Sequence, residues 1–166
     1  NTKGCSLTSN IRYEVAIISN TLAGNMSSRL FQKIREDRGL AYSVFSYTSS
    51  FEEGGLFTVY AGTTKKDYKE VLEIIENEFE DIKENGITEY ELQKSKNQFL
   101  SAVTFGLESS KGRMNRMANS YLLYKEIKSL DEILDQIEKI TVEDIKKAAQ
   151  EMFDKRYYSK TILGNI

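Results

Sequence analysis

The sequence predicts an α+β fold, a two-layer sandwich in which a mostly antiparallel sheet carries helices on one face. Two patterns lead to this prediction. Apolar residues recur at helical spacing in many segments, and two alternating segments joined by a turn form a β-hairpin among them. Because each helix has one apolar face, burying those faces against a single sheet is the simplest arrangement.

Two helices are predicted before the hairpin. The first covers residues 11–23, and Gly24-Asn25 interrupts its apolar repeat. Ser27 or Ser28 is expected to cap the second helix, because a hydroxyl there accepts a hydrogen bond from a free backbone N–H. Gly39 is expected to end the same helix, since glycine readily adopts the backbone conformation found just after a helix. The residues expected on its inward face are Met26, Leu30, Phe31 and Ile34.

Residues 41–51 and 56–63 are predicted to be the two strands of the hairpin. Both are rich in aromatic, β-branched and small polar residues, and the segment 52–55 between them, Glu-Glu-Gly-Gly, is a typical turn. Successive side chains of a strand point to opposite faces of a sheet. One face of the second strand would carry Phe57, Val59 and Ala61, and the other Leu56, Thr58 and Tyr60.

Five further helices are predicted after the hairpin. The clearest has its apolar stripe over residues 68–82, with Asp67 as the expected cap and Gly86 after its last turn. Three others begin at capping sequences, in which a hydroxyl residue precedes an acidic residue by three positions. These sequences are Thr88 to Glu91, Ser129 to Glu132 and Thr141 to Asp144.

The remaining helix and the last strand complete the predicted fold. Met114 and Met117 lie on the apolar side of the remaining helix, and we expect them in the core. Residues 156–164 are predicted to form the final strand. Three strands are few for so many helices, and residues 1–10 are a poor strand sequence. We therefore expect a strand to be incomplete at the start of the chain.

The composition excludes several kinds of site. The chain of 166 residues has no histidine, so it lacks the usual general base and the commonest transition-metal ligand. Ser-His-Asp, Cys-His and histidine-based zinc sites are therefore excluded for this chain by itself. The formal net charge is -2, which gives no reason to expect a nucleic-acid partner.

The cysteine count and the hydropathy predict a cytoplasmic location. Cys5 is the only cysteine, so an internal disulfide cannot form, as is usual in reducing compartments. No apolar run is long enough to cross a bilayer, and no signal-peptide pattern is present, so no membrane partner is expected.

The most informative candidate site lies between Arg35 and Tyr42. The turn at Gly39 would let a side chain at the end of the second helix meet one at the start of the hairpin. A guanidinium offers a planar fork of N–H donors and a phenol one O–H donor, so the pair could hold a peptide carbonyl or a developing oxyanion. From spacing alone a structural role is favoured, with Arg35 at the helix C-terminus and Tyr42 half-buried in the sheet.

Residues 24–44 contain a long motif that changes this interpretation. The pattern G-x-x-S-S-R-L-F is followed by R-E-x-R-G-L-A-Y. The segment resembles the insulinase/pitrilysin family of zinc peptidases, which includes the mitochondrial processing peptidases, and in particular their second, non-zinc-binding domain. The likeness continues through residues 86–92 and 140–145 and covers nearly the whole chain from Leu22. Where the family often has a glycine pair, this chain has Gly24-Asn25.

The resemblance implies a role for Arg35 and Tyr42. In the family, an inverted H-x-x-E-H motif and a further Glu on the first domain bind zinc. The second domain lacks these ligands, faces the zinc across a chamber, and supplies an Arg and a Tyr seven residues apart, as Arg35 and Tyr42 are. The resemblance therefore implies that both contact the substrate backbone and help stabilise the tetrahedral intermediate. It implies no metal ligand in this segment, and zinc as the cofactor of the full-length enzyme.

Two hypotheses follow from the resemblance. In the first, residues 1–166 are one C-terminal-type domain of a zinc endopeptidase, inactive alone, that closes a peptide chamber together with an N-terminal catalytic half. In the second, the domain belongs to a non-catalytic homologue that acts as a partner or scaffold subunit. An H-x-x-E-H motif in the preceding half of the protein would distinguish them. In either case an incomplete sheet edge would promote pairing of copies into a homo-oligomer.

Overall fold

The β-hairpin lies at one side of a three-stranded antiparallel sheet. The computed structural model describes residues 1–165, and residue 166, the last of the predicted domain, lies outside them. The strands are β1 (Thr2–Lys3), β2 (Ala41–Ser50) and β3 (Gly55–Thr63), in the order β1–β3–β2. The predicted hairpin is thus confirmed as β2 and β3, which pair along their length.

Helices make up most of the rest of the described chain. The α-helices are α1 (Arg12–Ala23), α2 (Tyr68–Asn85), α3 (Glu89–Gly106), α4 (Ser110–Tyr124), α5 (Leu130–Glu138) and α6 (Val142–Met152). A π-helix (Phe31–Glu36) precedes β2, and a short 3-10 helix (Lys155–Tyr157) follows α6. In the part of the chain that the structure describes, no helix is long and apolar enough to cross a membrane.

The two faces of β3 lie in opposite environments, as the alternation predicts. Phe57 is completely buried, whereas Leu56 and Tyr60 are exposed on the other face. On that exposed face Tyr60 stacks on Phe45 of β2, with ring centroids 4.9 Å apart. The core thus lies on one side of the sheet, under the helices, and the α+β prediction is confirmed.

An aromatic cluster joins the sheet to the helices. Phe57 of β3, Phe79 of α2 and Phe153 at the end of α6 contact one another, and the rings of Phe79 and Phe153 are parallel with centroids 4.3 Å apart. Aromatic rings bury a large apolar area each, so this cluster holds three elements together. Helices α1 and α6 add the buried residues Val15, Ile17, Ile18, Leu22, Ile145 and Met152.

The capping sequences form as predicted. In the boxes of α3, α5 and α6 the hydroxyl accepts a backbone N–H, and the acidic side chain accepts the N–H of the capping residue in return. Asp67 occupies the N-cap of α2, but its carboxylate accepts a hydrogen bond from the Thr64 hydroxyl (2.6 Å) and caps no backbone N–H. Gly86 ends α2 with a φ of +77°, as expected for a glycine stop.

The second predicted helix differs from the expectation at its start. No serine side chain caps it, because the Asn25 side chain accepts the backbone N–H of Ser27 (2.9 Å) and closes a turn instead. Met26 lies in this turn and is 76% exposed, so the prediction that it faces inward is wrong. Leu30 and Ile34 are fully buried, as predicted.

The prediction that Met114 and Met117 lie in the core is also wrong. Both side chains are exposed, and α4 has no buried residue. The helical spacing of apolar residues shows that a helix has an apolar side, but not which element covers it. Within residues 1–165 the apolar side of α4 is left largely open.

The prediction of a strand at residues 156–164 is wrong. Asp154 accepts hydrogen bonds from the backbone N–H and the guanidinium of Arg156, and this local cap starts a 3-10 turn where the strand was expected. Further on, Ser159 exchanges two backbone hydrogen bonds with Asn1 (2.8 and 2.9 Å). The segment after the 3-10 helix therefore pairs with the start of β1 through one residue only. Thr2–Lys3 is itself a strand, although the sequence around it is a poor strand former.

An ion cluster around Arg29 fixes the start of the π-helix to two helices. Arg29 donates to both carboxylate oxygens of Glu91 in α3 (2.6 and 2.8 Å) and to Asp81 in α2 (2.6 Å). Burial acts to raise the pKa of Glu91, but the hydrogen bonds from Arg29 and Thr88 outweigh it and lower this pKa to about 2. Glu91 is thus both an ion-pair partner and the acidic member of the α3 capping box.

We predict that Glu91→Gln destabilises the protein in a pH-dependent way. Because the folded-state pKa of Glu91 lies below its unfolded value, its stabilisation is present above that unfolded value and is lost as the pH falls toward about 2. At pH 7 the variant should lose about 2 kcal/mol of unfolding free energy, after allowance for partial exposure. At pH 3 the difference should shrink to roughly half.

Urea denaturation followed by circular dichroism at both pH values measures this difference. Glu89→Gln is the matched control, because Glu89 is an exposed residue in the first turn of the same helix. A difference between wild type and Glu91→Gln that stayed constant between pH 7 and pH 3 would contradict the prediction.

Candidate functional site

The segment between the π-helix and β2 makes a tight, left-handed turn. The N–H of Asp37 donates to the carbonyl of Gln32 (2.9 Å), a five-residue span that widens the last turn of the helix. The N–H of Leu40 then donates to the carbonyl of Ile34 (2.8 Å), and Gly39 between them has a φ of +63°. The chain thereby leaves the helix and enters the strand within a few residues, close to the side chain of Arg35.

Tyr42 occupies a β-bulge at the start of β2. Ala41 pairs with Thr63 and Ser43 pairs with Gly62, so Tyr42 is the extra residue in the register. A bulge turns the side chain of the extra residue away from the regular alternation of the strand. Tyr42 is 84% exposed as a result, which contradicts the structural alternative of a half-buried tyrosine.

The structure brings the two predicted site residues together. The central carbon of the Arg35 guanidinium lies 5.3 Å from the centroid of the Tyr42 ring and 4.8 Å from that of Phe31. Both distances are within the range of cation–π attraction. The Arg35 side chain is 39% exposed, so it contacts two rings and is still partly open to solvent.

The guanidinium of Arg35 keeps its hydrogen-bond donors available. The carboxylate of Glu36 lies 3.7 Å from Nε, too far for a hydrogen bond, and among the described residues Arg35 has no shorter ion pair. Arg29, six residues earlier in the same motif, has the opposite environment, because Glu91 and Asp81 accept its hydrogen bonds. One arginine is therefore used within the fold, and the other presents free donors beside an exposed phenol.

The position of Phe31 differs from the one predicted. We expected it on the inward face of the helix, but it is half-buried and lies against Arg35. Its position four residues before Arg35 is the signal that indicates the contact, since side chains at this spacing lie on the same side of a helix.

The residues of the site do not fit a zinc ion. The chain has no histidine, and the described residues contain no group of three or more His, Cys, Asp or Glu placed to hold a metal. Cys5 is buried far along the chain from the site, and burial raises the pKa of its thiol. Glu78 and Asp81 of α2 already face Arg29 and Lys33. The site is therefore one of hydrogen-bond donors.

Solved structures of other proteins have the same fold. A protease from Helicobacter pylori superposes with a TM-score of 0.83 over 94% of this chain, at 22% identity, and this chain covers 38% of that one. A chain of complex III2 from Candida albicans superposes with a TM-score of 0.75 over 91% of this chain, at 23% identity, and 38% of that chain is covered. At these identities the likeness establishes the shared fold alone.

Sequence comparison then identifies the family. Residues 3–99 match the family described as the peptidase M16 inactive domain. The uncharacterized zinc protease YmxG of Bacillus subtilis is 39% identical over 145 residues, which are 87% of this chain and 36% of that protein. The chain therefore belongs to the peptidase M16 family, the insulinase and pitrilysin family, as the inactive C-terminal domain of M16 zinc-protease-like proteins. It spans little more than a third of that relative's length.

We predict that Gly39→Ala weakens the turn that brings Arg35 to Tyr42. No atom lies within 4 Å of an added Cβ, so the cost comes from the φ of +63° and should be about 1 kcal/mol of unfolding free energy. Gly54→Ala is the matched control, because its Cβ also meets open space but its φ is not in the left-handed region. Equal stability of the two variants in urea denaturation would contradict the prediction.

Proposed function

We propose that this domain is the non-metal half of a zinc-dependent endopeptidase, in which it closes the peptide chamber and contacts the substrate near the scissile bond. The observation that carries the proposal is the pairing of Arg35 with Tyr42. A guanidinium edge without a protein acceptor and an exposed phenol lie on either side of one turn, with the guanidinium 5.3 Å from the ring.

Both groups can donate hydrogen bonds to the carbonyl oxygen of a peptide bond. Negative charge grows on this oxygen when the carbonyl carbon is attacked, and donors already held in position stabilise the charge without reorganising. The guanidinium of Arg35 brings a positive charge together with its N–H donors, and the phenol of Tyr42 adds an O–H donor. Neither accepts a proton readily, so general base chemistry has to come from elsewhere.

The remaining parts of the reaction are assigned to a separate catalytic half. Zinc would be bound there, because the ligands it prefers are missing from this domain. That half belongs to the same protein or to a partner subunit, and the peptide substrate lies between the two. YmxG, which is named a zinc protease, supports this arrangement, since the matched part is 36% of its length. We also propose a cytoplasmic location, on the ground that the single cysteine forms no internal disulfide.

A second candidate function is that of a partner or scaffold subunit in an assembly without peptidase activity. The fold shared with a chain of complex III2 from Candida albicans favours this candidate. An H-x-x-E-H motif in the preceding half of the protein would support the peptidase, and its absence would support the scaffold or an active site supplied by another chain.

We predict that Tyr42→Phe lowers kcat of the full-length protein about 100-fold and changes KM no more than about twofold. The phenol acts mainly on the charge that develops in the transition state, and removal of one such donor has an effect of this size. Steady-state hydrolysis of an internally quenched peptide measures both constants. Tyr90→Phe is the matched control, because Tyr90 is another highly exposed tyrosine, on α3. Unchanged constants for Tyr42→Phe would rule out the transition-state role.

We also predict that residues 1–166, purified alone, contain no tightly bound zinc and cleave no peptide. Without histidine and with one buried cysteine, the segment lacks the donors that a tight zinc site needs. Metal analysis by mass spectrometry should give far less than one zinc per chain, whereas the full-length protein should hold one. One tightly bound zinc in the isolated segment would overturn the assignment of the metal to the other half.

A further inference from the structure

We propose that Phe31 is a positioning residue, which holds the guanidinium of Arg35 by its face so that the N–H edge stays free for the substrate. This inference rests on the proposed function, because it specifies how one of the two substrate-contacting residues is oriented. Phe31 opens the π-helix, and Arg35 lies near its end.

Two aromatic rings contact the guanidinium of Arg35. The centroid of the Phe31 ring lies 4.8 Å from the central carbon of the guanidinium, and that of Tyr42 lies 5.3 Å from it. A guanidinium is planar and weakly hydrated, so it binds aromatic faces better than a lysine ammonium does. The attraction acts through the face of the aromatic ring and needs none of the five N–H donors of Arg35, and among the described residues the nearest carboxylate is 3.7 Å from Nε.

A carboxylate could not orient Arg35 with the same result. Arg29 shows what such a partner does, since Glu91 accepts two of its N–H bonds and Asp81 a third. A guanidinium held in this way has its edge filled and cannot bind a carbonyl there. An aromatic ring is the partner that can both restrict Arg35 and leave its donors free.

The packing of Phe31 indicates that the ring has a role other than filling the core. Its neighbours Leu30 and Ile34 are fully buried and anchor the π-helix. Within residues 1–165, Phe31 belongs neither to the buried core nor to the partly buried apolar residues packed against it. A large ring that is half-buried at this place instead covers the guanidinium of Arg35.

The test is a double-mutant cycle in the full-length protein. Phe31→Leu should lower kcat for an internally quenched peptide about fivefold, the size expected for loss of one cation–π contact, with little change in KM. Phe31→Tyr, which keeps an aromatic face, should retain wild-type kcat. In the Arg35→Gln background, Phe31→Leu should have no further effect, because the group that Phe31 positions is gone.

Each result of the cycle has a defined meaning. A fivefold loss that persists in the Arg35→Gln background would show that Phe31 acts on folding or packing, and would overturn the inference. So would a wild-type kcat for Phe31→Leu. If Arg35→Gln itself leaves kcat unchanged, the proposed function fails, which is a different outcome. Melting temperatures verify folding, and Phe31→Met provides a second non-aromatic variant, with a more flexible side chain, if Phe31→Leu does not fold.

A spectroscopic measurement tests the contact without turnover. In the full-length protein labelled with 15N-arginine, the Nε–H signal of Arg35 should be displaced by the ring currents of its two aromatic neighbours, and Arg35→Gln identifies the signal. Phe31→Leu should move it toward the position of a solvent-exposed arginine, whereas the Arg29 signal should stay in place. An unmoved Arg35 signal would overturn the inference.

Discussion

The site depends on the left-handed turn at Gly39, which connects a widened helix end to a bulged strand. The helix end carries Arg35, the strand start carries Tyr42, and the turn has to reverse the chain between them in four residues, Glu36 to Gly39, before Leu40 bonds back to Ile34. Regular geometry on either side would not give the same result. Without the bulge, the direction of the Tyr42 side chain would be set by the regular alternation of β2. Two local irregularities and one glycine are therefore required together.

Two of the three arginines in the motif around this turn, Arg29 and Arg35, have different environments, and one serves the fold while the other belongs to the site. The Arg29 side chain is 16% exposed and donates to carboxylates of α2 and α3, so it holds the π-helix against the helical layer. Arg35 faces two aromatic rings and a distant carboxylate. If the acidic residues were exchanged between the two positions, the anchor would be lost and the donors of the site would be filled. The stability of the segment and the availability of its donors thus come from different residues, although these are only six positions apart.

The sequence was sufficient to predict the elements whose causes are local. The hairpin, α2, and the caps at Thr88, Ser129 and Thr141 follow from turn residues, apolar spacing and side-chain-to-backbone hydrogen bonds, and all were confirmed. What depends on distant partners was predicted less well. The exposure of Met114 depends on which element covers α4, and the path of residues 156–164 depends on the edge of β1. At the site, the seven-residue separation of Arg35 and Tyr42 was visible in the sequence. The sequence did not predict the widened helix turn, the bulge or the contact of Phe31 with the guanidinium. Each depends on backbone geometry that the residue types do not determine.

The absence of histidine has a narrower meaning once the site is known. Taken alone it argues against any metallopeptidase, since histidine is the commonest zinc ligand and the usual base. The site, however, presents the N–H donors of Arg35 and the O–H donor of Tyr42, which are suited to a developing negative charge. Under the proposed function, such a domain would complement a half that holds a metal and a base, because the two sets of groups would act on opposite sides of one peptide bond. The absence of histidine then fits a division of the chemistry between two halves. This domain would stabilise the developing charge, and the half on the other side of the chamber would supply the metal and the proton chemistry.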